Sequence, residues 1–329
     1  PAQTVGNGSV HLSDGAGTIG ALAQTLSDVS AHIILAPGRV EIDEAVGTGG
    51  EGRVEAVGMV EITPFNFIAT DSLVWLKRLD LEIRARGLKA VNLAEFQATV
   101  DADVRLTGPI DTPAVAGRAS FEEAEIRLLS MLEAPEDPES VWTTVPFFRN
   151  LESSLQLVAQ NQVWVRDENL NVELNGDVDL LRDEDGVRLF GSLSTLRGSY
   201  RFQNRDFRIE LGQIDFIGAG TIDPTVSIVG ATRLPIVQDP ALSGEREDLT
   251  IRVIVGGTIT QPEITLESDP PVGDEATILS YILLGRPPDD FLSGQQSLFG
   301  ERSAGLVVGR IVAQDDLDRG DRLVLARRQ

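Results

Sequence analysis

Residues 196–230, LRGSYRFQNRDFRIELGQIDFIGAGTIDPTVSIVG, place apolar side chains two residues apart in four successive runs: Tyr200 and Phe202, then Phe207, Ile209 and Leu211, then Ile214 and Phe216, then Val226 and Ile228. That is the period of a β-strand with one dry face. Arg201, Arg208, Glu210 and Asp215 stand between them, so the opposite face is expected to be wet. Gly198, Gly212, Gly218, Gly220 and Pro224 punctuate the runs, and the whole reads as an antiparallel meander with one greasy side.

Composition limits what such a sheet can meet. The 329 residues are 42% hydrophobic, enough for a sizeable core, while 5% aromatics and 32 glycines point to aliphatic strands joined by many turns. No apolar run is long enough to cross a bilayer as a helix. The formal net charge is −23, from 28 basic against 51 acidic residues without a basic cluster. A nucleic-acid partner is therefore not expected, because phosphate binding needs cations that displace counterions. An anionic bilayer surface should repel the chain as well, so any lipid contact must be apolar and local. The absence of cysteine removes disulfides, thiolate catalysis and zinc-thiolate sites together. The chain opens on Pro1 with no basic-then-apolar leader before Gly6, and so reads as a fragment.

Along the chain, Ile19 to Ile34 carries Leu22, Leu26, Val29 and Ile33 at helical spacing, and a short amphipathic helix competes there with strands. Strands are expected from Arg53 to Ile62 and over Leu79–Ala85, Phe96–Val100 and Val104–Leu106, with a short helix or loop at Ser72–Leu76. Phe121–Leu132 fits either a strand or a helical turn, and 134–140 is a proline-rich acidic loop. Further strands follow at Leu151–Ala159, Gln162–Val165 and Leu170–Leu174. The last is expected to turn at Asn175-Gly176, a dipeptide that tolerates positive φ. Beyond the central meander come strands at Leu249–Val255 and Glu263–Leu266, a break at Pro270-Pro271, a helix over Ala276–Leu284 between Asp274 and Gly285, and a second helix near Ser303–Gln314.

Little in the chain resembles a catalytic constellation. His11 and His32 are separated by the expected helix and show no co-ligand or orienting partner, so neither a metal nor a catalytic role is expected for them. GTGGEG at 47–52 lacks the Lys-Ser/Thr ending of a phosphate loop and reads as a hairpin turn. Asp183 to Gly186 opens like a calcium loop, but no bidentate acid closes it, so an acidic hairpin tip is expected. Arg319-Gly320-Asp321 is too short a match to carry an adhesion role. Neither enzyme activity nor a cofactor is expected.

The greasy face remains. Periodicity alone leaves two readings open, a dry core inside a closed sandwich or barrel, and an open groove. Gly198, Tyr200, Phe207, Gly212, Ile214, Phe216, Gly218 and Pro224, then Leu249–Val255, Gly257-Thr258-Ile259, Pro262 and Ser280-Tyr281-Ile282-Leu283-Leu284-Gly285-Arg286-Pro287, resemble the TamB C-terminal domain family of the AsmA-like superfamily. The resemblance implies an all-β fold: a long curved antiparallel sheet folded into a hydrophobic groove, a β-taco, with a few short helices mainly near the C-terminus. It implies one domain over 1–329, with a β-groove at 1–268 and a helical tail at 269–329.

By the same resemblance the function is phospholipid transport between membranes and outer-membrane biogenesis. The alternative is an assembly factor for outer-membrane β-barrels that pairs strand edges with a BamA-type partner. The implied partners are phospholipid acyl chains and a TamA-like outer-membrane barrel. The implied location is the Gram-negative periplasm, with an inner-membrane anchor in a missing N-terminal region. Groove-lining candidates from the alternation are Val104, Leu106, Leu170, Val172, Leu174, Phe202, Phe207, Ile209, Leu211, Ile214, Phe216, Val226, Ile228, Ile251, Val253, Val255, Ile264 and Leu266. Partner-contact candidates are Tyr281, Leu283, Leu284, Gly285, Arg286 and Pro287.

Overall fold

A computed structural model describes residues 7–63, 76–127, 145–220, 222–236 and 247–286. They form strands β1 (Gly8–Ile19), β2 (Gln24–Ala36), β3 (Arg39–Gly49), β4 (Gly52–Ile62), β5 (Leu76–Asn92), β6 (Phe96–Pro109), β7 (Ala114–Arg127), β8 (Glu152–Arg166), β9 (Leu170–Asp183), β10 (Gly186–Phe202), β11 (Arg205–Ile217), β12 (Thr225–Ile236), β13 (Glu247–Gly257) and β14 (Pro262–Asp269). A single helical turn, α1 (Pro146–Arg149), precedes β8, and a longer helix, α2 (Glu275–Leu284), follows β14. The strands hydrogen-bond in sequence order as one 14-stranded sheet. Among the described residues no helix is long and apolar enough to cross a membrane.

The expected all-β class is what forms, with one departure from antiparallel pairing. β7 and β8 run parallel, Ala114 opposite Glu152 and Ile126 opposite Val165. Parallel neighbours cannot be joined by a hairpin, because the chain must first return to the end at which it began. The connection between Arg127 and Glu152 does this, and Glu152 N–H donates to Pro113 O at 2.9 Å where β8 starts. The chain divides into two compact units, Pro1–Gly198 with Gln213–Thr225, and Ser199–Gly212 with Val226–Gln329. They are called here the first and second unit.

Several local expectations change. Ile19 to Ile34 is strand, apart from a 3-10 turn at Gly20–Leu22. Ala23 at φ 47 and Asp28 at φ 50 break the helical register that Leu22, Leu26 and Val29 suggest. β6 runs unbroken through Asp101–Asp103, and β7 extends through Phe121 to Arg127, so that segment is strand as far as it is described. GTGGEG does form a hairpin turn, with Gly49 opposite Gly52, and Asp183 to Gly186 forms the tip between β9 and β10. The segments 72–75, 134–140 and 303–314 lie outside the described residues, as do Pro287 and Arg319-Gly320-Asp321.

Asn175-Gly176 makes no turn; β9 passes straight through it. The reason lies in the neighbouring strand. Between Ala159 opposite Gly176 and Val163 opposite Leu174, β8 carries extra residues, with Gln162 at φ 57. Such a bulge takes backbone groups out of the ladder. β9 supplies replacements: Asn175 Nδ2 donates to Gln160 O at 2.7 Å, and Glu173 Oε1 accepts from Gln162 N at 2.9 Å. Arg197 Nε completes the group on Glu173 Oε2 at 2.5 Å. The Gln162 N–H, and then Arg197, hold the Glu173 carboxyl below the usual carboxylate range against the opposing push of desolvation. A second bulge is served alike: Gly87, at φ 55, donates its N–H to Asp101 Oδ1 at 2.7 Å.

Gly176 has its own reason. It sits at φ 142, and a Cβ there would lie 2.2 Å from Ser192 O; Gly58 (φ 143) and Gly117 (φ 145) are placed alike against Asp80 O and Asp103 O, at 2.1 and 2.2 Å. Only glycine permits that approach of one strand's backbone to the next.

Gly58→Ala and Gly117→Ala are each expected to cost about 1–3 kcal/mol of stability, read by urea unfolding, whereas Gly17→Ala, where a Cβ would meet nothing within 4 Å, should leave the midpoint in place. Because the Glu173 pKa is lowered on folding, its contribution is present above the ordinary glutamate range and is lost as pH falls through the folded value. Glu173→Gln should therefore be less stable than the parent at neutral pH, with the difference vanishing in acid; a pH-independent gap would contradict this.

Candidate functional site

In the first unit the strand registers line up apolar side chains in rows that cross strand after strand. Ala56 in β4 stands opposite Ile83 in β5, Ile83 opposite Val104 in β6, and Val104 opposite Gly117 in β7. The row continues through Leu155 in β8 to Leu180 in β9. The next row is Val54, Ala85, Ala102, Ala119, Leu157 and Val178, on the same face by the two-residue period. Most of these side chains are half-buried.

The intervening residues make the other face, and it is charged. Arg105 makes a two-pronged pair with Asp80 at 2.8 and 3.0 Å, and Arg86 pairs with both oxygens of Asp103 at 2.9 Å. Arg166 and Arg197 stack over the Trp164 ring, 4.9 and 5.3 Å from its centroid. Exposed pairs of this kind contribute about 0–1 kcal/mol each. Their main effect is to keep that face in water and so fix which side is apolar.

The apolar face of the first unit is covered in two places. Val60, Ile62 and Leu79 are buried, with Val40, Leu81, Leu106, Ile110 and Phe147 of α1 packed against them. Ala98, Ala124, Val163 and Leu174 form a buried row across β6 to β9. Beside it Phe96 and Phe121 meet edge to face at 6.3 Å.

The expected lining residues fall out as follows. Val104 and Leu106 are half-buried on this face; Leu170 is half-buried at the start of β9, and Val172 and Leu174 are buried opposite Val165 and Val163. Ile214 and Phe216 are half-buried, with Phe216 beside Leu189 and Pro224 around a crevice of about 10 Å³. Leu211 departs from the pattern and is 53% exposed. Burial in β11 falls on Phe207 and Ile209, then on Gly212, Ile214 and Phe216, so the alternation slips by one residue at Leu211. The rows through β3, β4, β5, β7 and β8 are missing from the sequence-based set, although Val54, Ala56 and Val60 show the same alternation.

The second unit has apolar cross-strand pairs of its own, with Val226 buried and Ile228 opposite Val255, Val253 opposite Leu266, and Val255 opposite Ile264. Here the apolar face is not open along its length. Ile278 and Ile282 of α2 pack with Phe207, Leu234, Leu249 and Ile251 into a dry core, and Phe202, Val253, Leu266 and Tyr281 press against it. Leu249 and Ile251 have no exposed surface at all. Phe207 and Ile251, expected as lining, are core residues beneath a helix. Sequence periodicity could not separate the two, because both demand an apolar residue at every second position.

The helix is held at both ends. Asp274 accepts from Thr277 Oγ1 at 2.7 Å and Thr277 N at 2.9 Å, which keeps its carboxyl below the usual range. Gly285 closes the C-terminus in the left-handed region, and Arg205 Nε donates to Ile282 O at 2.6 Å. Of the expected partner contacts, Tyr281 faces the core, whereas Leu283 and Leu284 are 40% and 48% exposed, and Gly285 and Arg286 are exposed beside them. Among the described residues no group of three or more His, Cys, Asp or Glu is placed to hold a metal ion.

A family model described as the TamB C-terminal domain matches residues 44–311. The translocation and assembly module subunit TamB of Haemophilus influenzae is 27% identical to the chain over 157 residues, which are 48% of this chain and 11% of that protein. The chain thus spans only a small part of the curated relative it matches.

Ile282→Ala should cost about 2–5 kcal/mol, the usual loss for emptying a buried aliphatic site, and hydrogen exchange should accelerate in α2 and β13 together. Val253→Asp is expected to unsettle the same core. Unchanged protection of both elements in both variants would mean that α2 does not cover the face.

Proposed function

Because this chain belongs to the TamB C-terminal domain family, we propose that it works in the translocation and assembly module of a Gram-negative envelope, carrying phospholipid acyl chains along the apolar face of its sheet. The observation that supports this reading is the set of rows through Ile83, Val104 and Leu155, apolar across six strands with half-buried side chains, backed by a charged face. An acyl chain in water costs about 0.8 kcal/mol for each methylene, so a face that shelters about a dozen carbons offsets on the order of 10 kcal/mol. Sliding from row to row keeps that shelter, since each row presents similar side chains. It requires no cofactor and no catalysis, and we propose that the chain is not an enzyme.

The acidity of the chain fits the same reading. A carrier with net charge −23 is repelled by anionic membrane surfaces, so it holds lipid by the tails and does not stick to head groups. In this proposal the whole protein lies in the periplasm, is anchored at the inner membrane outside this chain, and meets an outer-membrane barrel of the TamA type. A second reading, strand-edge pairing with a client or partner barrel, draws on β1 and β14, the terminal strands of the sheet, with Val10 and Leu12 of β1 both 46% exposed.

The two readings part on one experiment. Photo-crosslinkers at Ile83 and Val104 should capture phospholipid, while crosslinkers at Arg84 and Arg105 should not. Val104→Asp should lower lipid co-purified by native mass spectrometry several-fold while the chain stays folded by circular dichroism. Equal capture from both faces, or capture of protein only at β1 or β14, would overturn the lipid reading.

A further inference from the structure

The charged face of the first unit is interrupted on β4. The residues of that face are Arg53, Glu55, Val57, Met59 and Glu61, so two apolar side chains stand in succession where the alternation calls for charge. Val57 is 40% exposed and Met59 half-buried. They form the floor of a concavity of about 590 Å³ walled by residues of β3 and β5. Glu41 on β3 and Asp80 on β5 stand opposite Met59 on its two sides, and Glu82 on β5 stands opposite Val57. Asp43 completes the β3 wall, because the register jumps between Ile42 and Ala45 and sets Asp43 and Glu44 together against Val57. We propose that this trough receives a lysine side chain presented by a segment of a partner protein.

The occupant follows from floor and walls together. A lysine carries a flexible methylene stem that ends in a compact ammonium, so the stem lies along apolar surface while the head seeks carboxylates. Side chains two residues apart on a strand are separated by about 6.8 Å. Val57 and Met59 therefore offer a strip about as long as that stem, and the unbranched Met59 adapts to its shape. Glu41 and Glu82 belong to strands on opposite sides of β4, two strand spacings or about 10 Å apart. An ammonium has three donors in no fixed plane and can answer both walls, whereas the flat fork of an arginine matches a single carboxylate.

The charges of the lining leave room for that cation. Arg105 is held by both oxygens of Asp80, and Arg39 lies beyond Met59, opposite Glu61. Asp43 Oδ2 is 3.1 Å from His32 Nδ1, and Glu82 comes only within 3.8 Å of Arg84. Among the described residues no ion pair engages Glu41. A chain of net charge −23 draws basic partners towards it, and the acidic walls then fix their register. The trough is built into the backbone: Gly58, between the two floor residues, lies so close to β5 that a Cβ would come within 2.1 Å of Asp80 O. By strand alternation it opens on the side of the sheet opposite to Ile83 and Val104, so this partner and an acyl chain would not compete.

The chain has two methionines, so a methyl-labelled methionine NMR spectrum holds two signals, and Met59→Leu identifies the one at the floor. On titration of the full chain with the peptide acetyl-Ala-Lys-Ala-Lys-Ala-amide, the Met59 methyl signal should move and saturate, while the peptide with glutamate in place of lysine leaves it where it was. The double variant Glu41→Gln/Glu82→Gln should weaken binding of the lysine peptide at least about tenfold in calorimetry. Glu184→Gln/Asp185→Asn removes the same charge at the tip between β9 and β10 and should weaken it by less than about twofold. An unmoved Met59 methyl would overturn the proposal. So would equal losses in the two double variants, which would leave only attraction to an acidic chain, and so would spermidine bound as tightly as the peptide, which would make the trough a site for a free polyamine. If Glu41→Gln/Glu82→Gln fails to fold, the Met59 signal of the unaltered chain with the two peptides and spermidine still decides.

Discussion

A sheet one layer thick that is apolar on one side must cover that side with something other than water, and everything else in this structure answers to that need. In the second unit the cover is α2, whose Ile278 and Ile282 bury Leu249 and Ile251 completely. In the first unit Phe147 of α1 covers the cluster around Val60 and Leu79, and the alanine-rich row through Ala98 and Ala124 closes on its own neighbours. In the same unit Ile83 and Val104 are half-buried. Burial is worth about 25 cal/mol for each square ångström of apolar surface. What remains uncovered is therefore a standing driving force for an apolar ligand.

The irregularities of the sheet are satisfied locally. Each bulge takes backbone groups out of the ladder, and those groups need other partners. Glu173 and Asn175 take up those of the β8 bulge, and Asp101 that of Gly87. Glu173 and Asp101 are thus parts of the backbone's hydrogen-bonding scheme. The glycines at 58, 117 and 176 act in a complementary way, letting neighbouring backbones approach where a side chain would collide.

Much of this was legible in the residues. Period-two alternation placed the central meander, the capping pair Asp274 and Gly285 bounded α2, and the Gly-rich turn at 47–52 stood where expected. Asn175-Gly176 was misleading because its signal is local: the dipeptide suits a hairpin, but a bulge in the next strand gave Asn175 a carbonyl to serve. The helical spacing at Leu22 to Ile33 misled similarly, since strand pairing with β1 and β3 outweighs a marginal helix.

By itself the sequence determined the class of the fold, the two-faced character of the sheet and the absence of thiol chemistry, because alternation and composition are properties of the chain alone. The tertiary structure decided which apolar residues are open and which are core. Val104 and Ile251 obey the same alternation, and only the arrival of α2 over one of them separates a candidate lipid contact from a sealed interior. It also decided that β7 and β8 run parallel, and that two histidines distant in sequence share one spot on the surface. Strand periodicity records how a residue faces its own strand, whereas covering, direction and cross-strand partnership depend on segments far away in the chain.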